Sequence, residues 1–174
     1  MQVSLVITIL GSDQPGLVKS LSETLNRFSG NWTESRMSHL AGKFAGILQV
    51  SVPEAQVTEL TTALKALQSN GLQISIEKAD QDISAKATTA TKVLSLELLG
   101  QDRPGIIRDI TEQLARLNVN IEELDSEVKE ASMSGGTLFF AKLQLGLPES
   151  VTTEAVQDSL ESMSDQFMVD INFT

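Results

Sequence analysis

Two copies of one six-residue segment constrain this chain more than anything else in it. Gly11-Ser-Asp-Gln-Pro-Gly16 returns 89 residues later as Gly100-Gln-Asp-Arg-Pro-Gly105. Each copy follows an apolar run of strand length, Val3–Leu10 in one case and Val93–Leu99 in the other. Each precedes apolar residues at helical spacing: Leu17, Val18, Leu21, Leu25 and Phe28, then Ile106, Ile107, Ile110, Leu114 and Leu117. Strand, tight turn and helix are thus predicted twice, so the 174 residues divide into two small domains rather than one large one. Pro15 and Pro104 are expected at the first helical position, where a missing N–H costs nothing. Gly16 and Gly105 leave the backbone bare to close approach.

The remaining pattern extends each repeat the same way. In the first half, helix one runs from Leu17 to about Phe28, with Ser29-Gly30 as its glycine stop. Strand two covers Asn31 to about Leu40, Ala41-Gly42-Lys43 turns the chain, and strand three covers Phe44–Val52. Val57, Leu60, Leu64 and Leu67 mark helix two, and Leu72, Ile74 and Ile76 alternate as strand four. Asp80–Thr91 is polar and small, and reads as a linker between domains 1–79 and 92–174. The second half then gives strand Lys92–Leu99, helix Pro104 to about Leu117, strand Asn120 to about Lys129, and a hairpin tip at Ala131–Gly136. Strand Thr137–Leu147, helix Thr152 to about Met163 and strand Phe167–Phe173 complete it. The offset between matched residues grows from 89 to 95 at Phe44 and Phe139, so the second hairpin is six residues longer.

The pattern is βαββαβ twice, an α+β architecture. Each ferredoxin-like unit has a four-stranded antiparallel sheet with two helices on one face. The opposite face of each sheet, to which Phe44, Leu48 and Val50 are assigned, needs cover or must be polar. A unit of roughly 80 residues builds only a modest core. The halves are therefore expected to lean on one another or on a second copy of the chain, as in a homodimer.

Composition narrows the function classes. The chain has no cysteine, which removes disulfides, thiol chemistry and Cys-ligated metals. Net charge is -10, with 6 positive and 8 negative side chains in residues 1–85 against 7 and 15 in residues 86–174. No basic stripe is present to face phosphates, so direct nucleic-acid binding is not expected. Val3–Leu10 is too short for a membrane span and lacks a basic flank, so a cytoplasmic protein without signal peptide or membrane contact is expected. Gly-x-Gly-x-x-Gly, Gly-Lys-Ser/Thr and Gly-x-Ser-x-Gly are absent. His39 is the only histidine, with no second His or Cys to complete a metal site, and reads as a surface or edge-strand residue. No catalytic residue, metal or cofactor is expected. Glu122, Glu123, Asp125, Glu127 and Glu130 read as a solvated edge strand, and Trp32 as core or interface filler.

The repeated turns carry the candidate chemistry. A helix N-terminus favours an anion such as a carboxylate. Asp13 and Asp102 beside it suit an ammonium group, so each turn offers both charges that a free amino acid requires. The alternative is that each Asp simply caps helical N–H groups. Asn31 and Asn120 open strand two in matched positions, as ligand amides or as ordinary turn residues. The candidate set is Asp13, Gly16, Leu17 and Asn31, with Asp102, Gly105, Ile106 and Asn120.

With these features in place, the chain resembles a tandem pair of ACT domains. The resemblance is carried by Asp13-Gln14-Pro15-Gly16 and Asp102-Arg103-Pro104-Gly105 after strand one, and by Asn31-Trp32 and Asn120-Ile121 opening strand two. It implies a regulatory module that binds amino acids at interfaces between paired units, with Asp13, Asp102, Asn31 and Asn120 touching the ligand. More narrowly, the chain resembles the glycine cleavage system transcriptional repressor family. That resemblance implies a regulator without a DNA-binding domain, which binds a transcription activator and releases it when glycine or a similar small amino acid binds. Trp32 stands where that family commonly has an aliphatic residue, and the halves differ in charge and hairpin length, which leaves open whether both pockets are competent. Two further readings stand beside it: a protein-interaction module with vestigial pockets, and an enzyme or regulatory subunit of one. ACT pairs also precede formyltetrahydrofolate deformylase-like and phosphatase domains, and the pattern here leaves no room for one before Thr174.

Overall fold

A computed structural model describes residues 1–79, 90–131, 135–167 and 170–173. The predicted linker lies outside the described residues except at 90 and 91, and so do residues 132–134 of the predicted hairpin tip. The chain forms two compact units, Met1–Gln81 and Asp82–Thr174. In the first, β1 (Gln2–Ser12), α1 (Leu17–Arg27), β2 (Asn31–Leu40), β3 (Lys43–Pro53), α2 (Val57–Ala66) and β4 (Gln73–Lys78) follow in order. In the second, β5 (Ala90–Gln101), α3 (Ile106–Arg116), β6 (Asn120–Glu130), β7 (Thr137–Pro148), α4 (Thr153–Phe167) and β8 (Asp170–Phe173) repeat it. Each sheet is antiparallel throughout, ordered β2-β3-β1-β4 and β6-β7-β5-β8.

Alternation along the strands sets which face is buried. Leu5, Ile7 and Ile9 of β1 meet Leu48, Val50 and Val52 of β3 beneath Leu21 and Leu25 of α1 and Leu60 and Leu64 of α2. Leu94, Leu96 and Leu98 of β5 repeat the arrangement with Leu143, Leu145 and Leu147 of β7, Leu114 of α3 and Leu160 of α4. Each fully buried side chain of this size contributes about 1.5–3 kcal/mol. Leu48 and Val50 therefore lie on the helix face, and Phe44 packs partly against the same core, which corrects their expected place on the bare face. Alternation separates two faces but does not say which the helices choose, and the helices take the more apolar set. The open face is mixed instead, with Leu10, Ile47, Val93 and Leu99 exposed on it beside polar cross-strand pairs. Gln49 Nε2 donates to Ser4 Oγ at 2.8 Å, and Ser95 Oγ donates to Gln144 Oε1 at 2.8 Å.

The helix ends differ from expectation in detail. At the end of α1 the left-handed residue is Ser29 (φ 56), not Gly30, and Asn118 (φ 54) holds the matching place after α3. The Gly30 N–H donates to Leu25 O at 2.9 Å and the Ser29 N–H to Asn26 O at 3.1 Å, the bond pair of a Schellman motif. Val119 and Asn118 repeat it on Leu114 and Ala115, both at 3.0 Å. A Cβ on Gly30 would lie 3.0 Å from Leu25 O, a tight contact, yet Val119 fills the matching place in the second unit, so the motif itself does not demand glycine there. Helix α4 continues to Phe167, four residues beyond the predicted end and over the start of the predicted last strand, because no glycine or proline follows Met163 to stop it.

Candidate functional site

Both repeated turns are built alike. The ladder runs one bond past the strand, with the Asp13 N–H donating to Gly42 O at 3.1 Å and the Asp102 N–H to Thr137 O at 2.9 Å. The proline and glycine then take the two central places of a tight turn. Gly16 has φ 92 and ψ -2, and Gly105 has φ 85 and ψ 3, the values required of the second central residue of a type II turn. The Ile106 N–H closes the second turn on Arg103 O at 3.4 Å. Gly16 O and Gly105 O accept the first helical bonds, from Ser20 at 2.9 Å and Asp109 at 3.0 Å. The glycines are thus the N-caps, and the prolines lie two residues before the first helical residue rather than at it. Pro-Gly satisfies a type II turn, and that requirement outweighs the preference of proline for a helix start. No side chain caps either helix, so Asp13 and Asp102 are not capping residues. By helix geometry the N–H groups of the first turn have no intrahelical acceptor.

In the second unit the turn borders a cleft of about 380 Å³. Asp102, Arg103, Gly105, Ile106, Ile107 and Arg108 line one side, and Ser126, Glu127 and Val128 of β6 with Phe139 of β7 line the other. Asp109, in the first turn of α3, ties the charged side together. Arg103 Nη2 donates to its Oδ2 at 2.6 Å, and Arg108 donates to its Oδ1 through Nε at 2.9 Å and Nη2 at 2.8 Å. The hydrogen bond from Arg103, then that from Arg108, holds the Asp109 carboxyl below the usual carboxylate range. The guanidinium of Arg108 folds back over the turn, its Nη2 standing 3.4 Å from where a Cβ on Gly105 would be. Ile107 and Val128 are exposed there, at 38% and 51%, giving the cleft apolar walls beside charged ends.

The first turn is furnished differently. His39 Nε2 lies 3.5 Å from Asp13 Oδ2, both side chains being half-exposed. Nothing stands within 4 Å of a Cβ built on Gly16. Lys19, which matches Arg108, pairs along the helix with Glu23 at 3.7 Å. Met37, which matches Ser126, packs against the core beside Gly46, and its Cγ would be 2.7 Å from a Cβ there. In the second unit the same cross-strand pair is Ser126 and Ala141.

The structure separates the sequence-chosen residues. Asp102, Gly105 and Ile106 come together at the cleft, while Leu17 and Ile106 are also core residues at the helix starts. Asn31 and Asn120 stand at the far end of their own sheets. Asn31 pairs with Ser51, and Ser51 with Ser4, whereas Ser12 at the turn pairs with Lys43. Eight strand residues, about 26 Å, separate the two ends. Asn120 Nδ2 instead donates to Glu122 Oε1 at 2.7 Å, beside a bulge between Ile121 and Glu123 that matches one between Trp32 and Glu34. Ser126 and Val128 were not legible as cleft residues, because cross-strand register brings β6 to the turn, whereas Arg103, Arg108 and Asp109 lie within a few residues of Gly105 and their mutual pairing was the signal available. His39 does sit on an exposed edge strand as expected, and its neighbour Asp13 lies 26 positions away in sequence.

A four-stranded antiparallel sheet carrying two helices on one face, in the order βαββαβ, is the ferredoxin-like fold. Models of the ACT domain match residues 4–77 and 94–158. The chain belongs to the ACT-domain family, as two ACT domains in tandem. Over 99% of its length it is similar to a structure described as an unknown protein from Galdieria sulphuraria, at 31% identity, 98% coverage of that chain and a TM-score of 0.87. A structure provisionally assigned as a glycine cleavage system transcriptional repressor shares the fold over 100% of this chain and 98% of that one, at 17% identity and a TM-score of 0.71. A formyltetrahydrofolate deformylase from Pseudomonas putida KT2440 matches 48% of this chain with 28% of its own, at 18% identity and a TM-score of 0.41. No curated protein matches the sequence. Among the described residues, no helix is long and apolar enough to cross a membrane.

Proposed function

We propose that the chain is a non-catalytic regulator that binds a small free amino acid, glycine or one of similar size, in the cleft beside the second turn. One observation carries this reading: a single cleft holds both kinds of charge a zwitterion requires. The carboxylates of Asp102 and Glu127 line it together with the guanidiniums of Arg103 and Arg108 and the N-terminus of α3. An ammonium group goes to Asp102 and a carboxylate to the cationic side, with Ile107 and Val128 as apolar walls. Leu17, Gly16 and Asp13 offer the same backbone in the first unit, and Asn31 and Asn120 lie out of reach of a ligand of this size at the turn of their own unit.

Regulation then requires that the ligand favour one state of the protein, and a coupling of about 1–3 kcal/mol is the usual scale. The readout is contact with a protein partner, and a transcription activator fits the resemblance to the glycine cleavage repressors. Calorimetric titration of glycine, alanine and serine into wild type and Asp102→Asn tests the reading. Binding that the substitution weakens supports it; no heat and no change in melting with any of them refutes it. A second reading, a protein-interaction module with vestigial pockets, is favoured for the first unit by the His39 imidazole, which stands 3.5 Å from Asp13 Oδ2 where a ligand ammonium would go.

A further inference from the structure

We propose that the two turns are functionally unequal, and that Arg108 makes the second one the carboxylate-binding site of the chain while the first binds no amino acid. The choice of ligand rests on the reading above; the role of Arg108 toward a carboxylate does not.

Three observations carry it. The first is the pinned guanidinium. Arg108 spends its Nε and one Nη2 proton on a single oxygen of Asp109, and Nη1 takes no part in that pair. Asp109 is held in turn by Arg103 at 2.6 Å, so Asp109 is a positioning residue that directs the Arg108 guanidinium, on a side chain 77% exposed, across Gly105. A planar guanidinium directed in this way meets a carboxylate with less loss of freedom than a lysine does. The second is space. Ser126 is short where its counterpart Met37 reaches over Gly46 into the core, and Ser126 lines the cleft. The third is charge. Asp13 in the first unit has His39 at 3.5 Å, Lys43 Nζ donates to Ser12 Oγ at 3.4 Å on the strand side, and Lys19 is directed to Glu23 down the helix, so no cation lies within 4 Å of a Cβ on Gly16 as Arg108 does at Gly105.

A nuclear magnetic resonance titration of the full chain tests this, following backbone amides and the Arg108 Nε with glycine, glycinamide and acetate in turn. Wild type is expected to shift at the second turn alone, at one ligand per chain. Arg108→Ala is expected to weaken glycine and acetate about fivefold or more and to leave glycinamide unchanged, with Arg108→Lys between. Ser126→Met is expected to lose all three, and Lys19→Ala to match wild type. The dispersion of each spectrum reports that the variant is folded. Equal shifts at both turns, or glycine binding untouched by Arg108→Ala, overturn the inference and leave the amino-acid reading standing. Acetate binding that depends on Arg108, with glycine silent, supports the inference and overturns the amino-acid reading. Silence from all three probes overturns both.

Discussion

Replacing Gly105 by alanine isolates the backbone strain on which the second turn depends. Gly105 holds φ 85, where an L-residue with a Cβ loses about 1–2 kcal/mol. Alanine also stiffens the unfolded chain, which returns about 0.4–1 kcal/mol. The net loss is roughly 1 kcal/mol, which for a unit of this size lowers Tm by about 4–8 °C. Sterics add little, since the nearest atom to the new Cβ is the flexible end of Arg108 at 3.4 Å. Gly16, at φ 92 with nothing within 4 Å, provides a matched control in which the same strain acts alone. Differential scanning calorimetry of wild type, Gly105→Ala and Gly105→Asn measures the effect. Asparagine tolerates the left-handed region and should recover most of the loss. An alanine variant that melts with or above wild type refutes the reasoning, because the turn is then not held at positive φ.

Further consequences follow from the same geometry. Ala41 sits at φ 50 before Gly42 at φ 75, the pair of angles of a type I′ hairpin, so Ala41→Asn should raise the urea midpoint by an amount equivalent to about 0.5–1 kcal/mol. Leu145 is fully buried, and Leu145→Ala should cost about 2–5 kcal/mol in chemical unfolding. Asp109 is held below the ordinary carboxylate range, so the fold favours its charged form. That contribution is complete above the unfolded value of about 3.9 and is lost as pH falls through the lower folded value. Urea midpoints of wild type and Asp109→Asn should therefore differ at neutral pH and converge in acid; a constant gap counts against the ion triad.

Much of the fold was legible because its causes are local. Alternation in β1 and β5, helical spacing in α1 and α3, and Pro-Gly between them each act over four or five residues, and their recurrence reinforces each reading. The placements that failed turn on competition between local rules. Pro-Gly favours a type II turn over a proline-started helix, and Ser29 rather than Gly30 takes the left-handed place because the Schellman bonds set which residue turns, as they do for Asn118 before Val119. The candidate site was legible in part. Asp102, Gly105 and Ile106 meet at the cleft, yet Asn120 shared their motif in sequence and lies at the opposite end of the sheet. Strands β5 and β6 run parallel with β7 between them, so the start of one is remote from the end of the other.

What the amino-acid sequence alone determined is the duplication, the βαββαβ order and the two glycine turns, since these follow from short-range sterics and hydrophobic period. What only the tertiary structure decided is the unequal furnishing of those turns: Ser126, Glu127 and Val128 beside one, Met37 and His39 beside the other. These residues reach the turn through strand register and packing across tens of positions, where a side chain's neighbours depend on the whole sheet and no longer on its own segment.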